Sequence, residues 1–181
     1  KTQFLQLLRS TNRQGVENVI AWLNQSDFFE APASTVFHGN YAGGLLEHSM
    51  NVALLANDIR EMMIRRKPEI VNQVSRENII IAALLHDICK ADQYYINSEG
   101  KPVRNEETCK KGHGRRSMFI LKRKCQFPLN YDEEMSVWWH MGEYEKCKDH
   151  FTHEYEISKT IALCSLIQKA DGIAANVSNS K

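Results

Sequence analysis

The chain has 181 residues, 43% of them apolar and 25% charged, a composition that supports a packed core and excludes disorder as the dominant state. Lys and Arg number 23 against 22 for Asp and Glu, which argues against a strongly basic nucleic-acid coat or an acidic tail. No apolar run reaches about 18 residues and the start KTQFLQLLRS lacks a signal-peptide core, so the expectation is a soluble, cytoplasmic protein without a membrane partner.

That length suits one domain over residues 1–181, and Lys1 in place of an initiating methionine leaves room for a further domain upstream. Helical periodicity dominates. In residues 15–29, Val16, Val19, Ile20 and Leu23 share one face. Residues 44–66 form the longest predicted helix, opened by Gly43 and Gly44 and closed by Pro68, with Leu45, Leu46, Met50, Val52, Leu54 and Ile59 inside. Ser75 and Glu77 begin a helix that runs through NIIIAALLHDICK to about residue 90. Its apolar run is almost unbroken, so it should be central and buried. Residues 93–104 read as a short β-hairpin around Ser98-Glu99-Gly100. Helices at about 112–125, 131–141 and 155–175 complete the chain. The sum is about six helices and one small hairpin, an all-α bundle.

Five cysteines, Cys89, Cys109, Cys125, Cys147 and Cys164, are odd in number, scattered and free of any CxxC pair. They signal neither a disulfide framework nor a zinc ribbon, and Cys89 and Cys164 fall in apolar stretches as small core residues.

The chemistry starts in the central helix. Ile79 to Leu85 runs straight into His86-Asp87, and a carboxylate in such surroundings is costly without a cation. It also lies late in the helix, where the backbone dipole disfavours negative charge. Lys90 is one partner that would satisfy it. Asp171 repeats the oddity on the stripe Cys164, Ile167, Asp171, Ala174, although Asp171-Gly172 also fits a helix-ending turn. A metal ion between the two carboxylates would answer both problems at once. Four of the seven histidines, His48, His86, His113 and His140, lie in helical or helix-starting contexts, whereas His150 and His153 sit in a polar stretch and read as surface residues. Histidine and carboxylate ligands suit one or two divalent transition-metal ions, of Mn, Fe, Co, Ni or Zn, better than Mg²⁺.

His48, His86-Asp87 and the distant Asp171 together resemble the H…HD…D signature of the HD-domain metal-dependent phosphohydrolase superfamily. The resemblance extends through HGNYAGGLLEHS, LLHDICKA, GHGRRS, WWHMG and LIQKADGIAA, from residue 38 to residue 175. It is nearest to the HD domain of bacterial 3′–5′ exoribonucleases and to small stand-alone bacterial and phage HD hydrolases. The resemblance implies a first metal held by His48, His86, Asp87 and Asp171, with Asp87 bridging to a second held by His113 and His140. Two departures stand out. The common HDIGK reads HDICK, a small change expected to be tolerated in a packed helix. Many binuclear members carry adjacent histidines where this chain has Trp139-His140, which leaves the second metal one ligand short.

The implied reaction is phosphoester hydrolysis by a metal-activated water, with Asp87 and Lys90 at the reacting centre and Lys90 on the phosphate. Arg115 and Arg116 closely follow His113 and are candidate phosphate contacts, with His38 at the pocket rim. Lys122-Arg123-Lys124 reads as a solvated face, while Lys110 and Lys111 add to the same basic stretch. Trp138, Trp139, Tyr94, Tyr95 and Tyr144 are candidates for stacking on a base. Near-zero net charge favours a small phosphorylated substrate, a nucleotide, over a nucleic acid, and a homo-oligomer is left open. Two rivals are a non-catalytic, metal-containing nucleotide-binding or regulatory module and a metal-free interaction domain.

Overall fold

Every side chain from Ile79 to Leu85 is buried, as the unbroken apolar run requires. These residues form α4 (Arg76–Leu85), whose start is fixed by Ser75: its hydroxyl accepts the Asn78 N–H at 3.1 Å. The computed structural model describes residues 1–108, 112–145 and 148–177, apart from the side chains of residues 70, 71 and 148. Among them α1 (Thr2–Ser10), α2 (Val16–Gln25), α3 (Gly44–Arg66) and α4 precede an antiparallel hairpin of β1 (Tyr94–Ile96) and β2 (Pro102–Arg104). Four helices follow, α5 (His113–Phe119), α6 (Tyr131–Trp139), α7 (Thr152–Ser158) and α8 (Ala162–Val177). The fold is all-α, as the sequence implies, with α3 packed along both α4 and α8, and α6 closing on α4, α5 and α8. Among the described residues no helix is long and apolar enough to cross a membrane.

Several expectations need correction. Among the described residues eight α-helices replace about six. One addition is α1, whose Phe4 and Leu8 are fully buried, with Phe4 5.4 Å from the Phe28 ring. The helix expected over 155–175 is two. Ser158 and Thr160 hydroxyls bond back to the Tyr155 and Ile157 carbonyls at 2.7 and 2.8 Å, offering the backbone an alternative to helix between α7 and α8. Leu54 is 58% exposed rather than inside, because α3 buries the face of Leu45, Val52 and Ala56, and Leu54 points elsewhere around the helix. The helix from residue 112 changes at Ile120–Lys124 to a π turn that ends with the Cys125 N–H on the Ile120 carbonyl at 3.0 Å.

The central helix also ends earlier than expected. It stops at Leu85, with His86 as its C-cap, and Asp87 stands in a turn at φ −107°, ψ 19° before a 3₁₀ turn over Ile88–Lys90. Leaving the helix removes the carboxylate from the run of carbonyls that disfavours it and turns it towards Lys90. One further contact positions the site. A Cβ on Gly114 would lie 1.8 Å from the Trp138 carbonyl oxygen, so α5 crosses α6 backbone to backbone. That crossing brings His113, the first residue of α5, near His140 at the end of α6.

Candidate metal centre

Four structural elements converge on one small volume. His48 comes from the buried face of α3, His86 caps α4, Asp87 follows in the turn, and Asp171 projects from α8. Asp171 is inside its helix, which runs on to Val177, so the helix-ending turn is not what places it. His48 Nε2 is 3.0 Å from Asp171 Oδ1 and 3.3 Å from His86 Nε2. Asp87 Oδ2 lies 3.4 Å from His86 Nε2 and 3.9 Å from His48 Nε2. An ion held about 2.1 Å from each ligand would set neighbouring ligand atoms roughly 3.0–3.4 Å apart. The distances from His48 to His86 and Asp171 are close to that, and these three side chains form one group that could hold a divalent ion, with Asp87 beside them.

Hydrogen bonding makes the same point. His86 Nδ1 and His140 Nδ1 each face a carbonyl at 2.8 Å, of Ala83 and Val137. A neutral ring donating there turns its Nε2 lone pair inward, the arrangement that prepares a metal-binding histidine. His140 Nε2 then faces Asp87 Oδ1 at 3.4 Å, and both atoms are buried without a hydrogen-bond partner among the described residues. Two inward-facing acceptors at that separation call for a cation or a proton between them. Among the described residues three groups could hold a metal: His48, His86 and Asp171; His86, Asp87 and His140; and Asp87, Cys89 and His113.

Lys90 Nζ supplies positive charge, 2.7 Å from Asp87 Oδ2. Burial alone would raise the Asp87 carboxyl, but Lys90 and His86 hold it well below the usual carboxylate range. Asp171 is lowered too: burial works against its charge, and the His48 hydrogen bond with the charges of the neighbouring histidines prevails. Lys90 is raised, Asp87 outweighing its burial. Burial pushes His48 and His113 down, whereas Asp87 lifts His140 despite full burial.

Asp87, Lys90, His113, His140 and Asp171 line a cavity of about 680 Å³ that opens to solvent. The HD-domain family matches residues 45–176, which contain His48, His86, Asp87 and Asp171. The chain belongs to the HD-domain family. A relative from Methanocaldococcus jannaschii, a dihydroneopterin 2′,3′-cyclic phosphate phosphodiesterase, is 39% identical over 72 residues. That match takes in 39% of this chain and 27% of the relative, so the chain spans about a quarter of that protein's length. No solved structure matches. HD-domain membership and this relative support a metal-dependent phosphohydrolase in general terms.

This HD domain brings His38 to the site as well. Its ring lies 4.5 Å from that of His48, and burial, with His48 and Lys90 close by, pushes it down to about 4, so it is neutral at pH 7. The Ala33–Gly44 loop carries it, held by the Ala33 N–H on the Gly39 carbonyl at 2.8 Å and by close passage of Gly39 over Gly44. Arg115 and Arg116 are not brought to the cavity wall. The Arg115 guanidinium sits 4.9 Å over the Phe151 ring, and Arg116 donates to the Thr108 carbonyl at 2.7 Å. Lys110, Lys111, Cys109 and Cys147 lie outside the described residues. Trp138 and Trp139 stack on each other at 5.0 Å within the bundle, and Trp139 is fully buried. Tyr94 and Tyr144 do line the cavity, while Tyr95 does not. His150 and His153 are exposed, as expected.

Further residues line or flank the cavity. Arg104 faces Tyr94 across the hairpin and puts a cation on the wall. Val36 and Phe37, 72% and 69% exposed, form an apolar edge beside His38. Glu145, buried, accepts the Gly114 N–H at 3.4 Å near the start of α5. No periodicity marks any of these, although an exposed Val-Phe pair just before a candidate site histidine is a usable cue.

Proposed function

We propose that this HD domain is a metal-dependent phosphohydrolase that cleaves a nucleotide or nucleic-acid phosphoester with a metal-activated water. The observation that carries the reading is the convergence of imidazole nitrogens and two carboxylates, 3.0–3.9 Å apart, beside an open cavity that also holds Lys90. In this reading His48, His86, Asp87 and Asp171 hold the first ion, and Asp87 is shared with a second near His113 and His140. A divalent ion of Mn, Fe, Co, Ni or Zn would polarise a phosphoryl oxygen and lower the pKa of water towards neutrality.

The chain's own groups do the rest. Lys90, fixed by Asp87, keeps a positive charge on the cavity wall, where it can meet an equatorial phosphate oxygen. Asp87 and Asp171 stay ionised at neutral pH and so remain available as ligands. Arg104 offers a second cation further out, and exposed Phe37 and Tyr144 offer ring faces for a base. Arg115 and Arg116 serve as phosphate contacts only for a substrate that extends beyond the cavity, as a nucleic acid would. The relative's cyclic phosphate substrate supports a diester over a monoester.

Elemental analysis of wild type and Asp87→Ala, beside hydrolysis of an aryl phosphodiester and of 2′,3′-cyclic mononucleotides with Mn²⁺, tests this. Metal near one or two equivalents and turnover are expected in wild type, with both lost in the variant. A protein that takes up no Mn²⁺, Fe²⁺, Co²⁺, Ni²⁺ or Zn²⁺ overturns the reading. Metal without hydrolysis across a nucleotide screen would favour the binding module instead.

A further inference from the structure

Outside the His48–Asp171 cluster, the most informative group is the one on its far side. Cys89 follows the turn at Asp87 and is fully buried. Its Sγ lies 4.0 Å from His113 Nδ1, and with an Asp87 carboxylate oxygen the ligand atoms all fall within 4.8 Å of one another. We propose that Cys89 is a metal ligand whose thiolate, with Asp87 and His113, forms a soft position that selects Zn²⁺ over Mn²⁺. The proposal rests on reading the cluster as a metal centre, and it replaces the expectation that Cys89 is an inert core residue.

Three observations carry it. The first is geometric. Zn–S and Zn–N bonds of about 2.3 and 2.0 Å put sulfur and nitrogen roughly 3.5 Å apart in a tetrahedral site. The 4.0 Å between Cys89 and His113 therefore needs to contract by only a few tenths of an ångström. The second is the state of Asp87. Its Oδ2 is engaged by Lys90, while Oδ1, buried, has no hydrogen-bond partner among the described residues and faces His140. His140 belongs to the neighbouring group, with His86 and Asp87. The third is the donor set. The inner position has imidazole nitrogen and carboxylate oxygen only, whereas the three side chains grouped on this side offer one carboxylate oxygen, one imidazole nitrogen and one sulfur. Ligation forms an S–metal bond, and the thiol proton leaves to solvent through the cavity that Asp87 and His113 line. The Cys89 backbone is held for this, its N–H 3.3 Å from the Ser117 hydroxyl on α5.

A thiolate also changes which ion the position prefers. Soft sulfur favours Zn²⁺ or Co²⁺, whereas Mn²⁺ takes oxygen ligands more readily. The two positions would then differ in metal, the inner one of nitrogen and oxygen only and the outer one carrying sulfur.

Stepwise titration of metal-free protein with Co²⁺ to two equivalents, followed by absorption, tests this without reference to activity. Wild type should give visible d–d bands from the first addition and, with the second, a near-ultraviolet sulfur-to-cobalt charge-transfer band. Cys89→Ser and Cys89→Ala should keep the d–d bands and lose the charge-transfer band. In competition the variants should bind Zn²⁺ at the second position at least about tenfold more weakly and lose most of the preference over Mn²⁺. X-ray absorption at the zinc edge of wild type loaded with two equivalents should show a sulfur neighbour at about 2.3 Å, a readout independent of any variant. Charge transfer missing from wild type, or surviving in the variants, overturns the role of Cys89 and leaves the metal centre standing. No cobalt bands at all would overturn both.

Discussion

The two sides of the centre are built differently. On the inner side His48, His86 and Asp171 come from α3, α4 and α8, helices that pack on one another to form the core. Moving any of these proposed ligands means shifting a helix past buried neighbours such as Val52, Leu84 and Ile167. On the outer side Cys89 sits in a 3₁₀ turn and His113 opens a short helix that packs chiefly on α6. His113 is only partly buried, whereas His48 and His86 are buried, so the outer half should adjust more readily to its ion. A rigid inner half can set where the reacting centre is, while an adjustable outer half can accept different metals or a moving phosphate.

The strongest break in that contrast comes from substitutions at the inner ligands. His48→Ala or Asp171→Asn should lower affinity for the first ion by more than about 100-fold and abolish turnover, because each removes a group of the inner cluster. Asp87→Ala should remove both ions. Isothermal titration with Mn²⁺ and Zn²⁺ measures these losses. An inner-ligand variant that still binds its first ion normally would show that the two halves are not organised as described.

A smaller effect is expected where the outer half touches the core. Gly114→Ala places a methyl group against the Trp138 carbonyl, so α5 must move off α6. The overpacking should cost about 1–3 kcal/mol in denaturant unfolding, and the displaced His113 should weaken the second ion while sparing the first. Equal weakening of both would mean that α5 supports the whole centre.

How much of this the residues announce depends on which half they belong to. The proposed inner ligands are legible because each is a polar side chain on an otherwise apolar helical stripe. Asp171 among Cys164, Ile167 and Ala174 is an anomaly in any helical projection. The helices that carry these ligands were legible for the same reason, as was the hairpin from its turn residues. The outer half is harder. Cys89 passes for a packed apolar residue, and only the turn at Asp87, which the apolar run disguises as continued helix, directs it towards His113. Arg115 and Arg116 looked well placed from their distance to His113 along the chain. The helix beginning there carries them away, one over Phe151 and the other against the Thr108 carbonyl. Arg104 took their place at the wall through strand pairing with Tyr94, a long-range consequence of the hairpin register that local pattern does not encode.

That exposed arginine gives the smallest predicted effect and the finest view of how the rim differs from the floor. Lys90 is held by Asp87 in a buried setting, where its charge is poorly screened, whereas Arg104 stands in water on a two-stranded hairpin. Arg104→Ala should therefore raise KM for a nucleotide substrate by about threefold to tenfold with kcat nearly unchanged, the pattern of lost uniform binding. The increment should shrink between 50 and 300 mM salt as screening strengthens. Lys90→Ala, in contrast, should act on kcat and keep its effect at high salt if, as proposed, its buried charge meets the reacting phosphate. A salt-insensitive kcat loss in the Arg104 variant would move that residue from the rim into the reacting centre, and would mean that the hairpin closes over bound substrate.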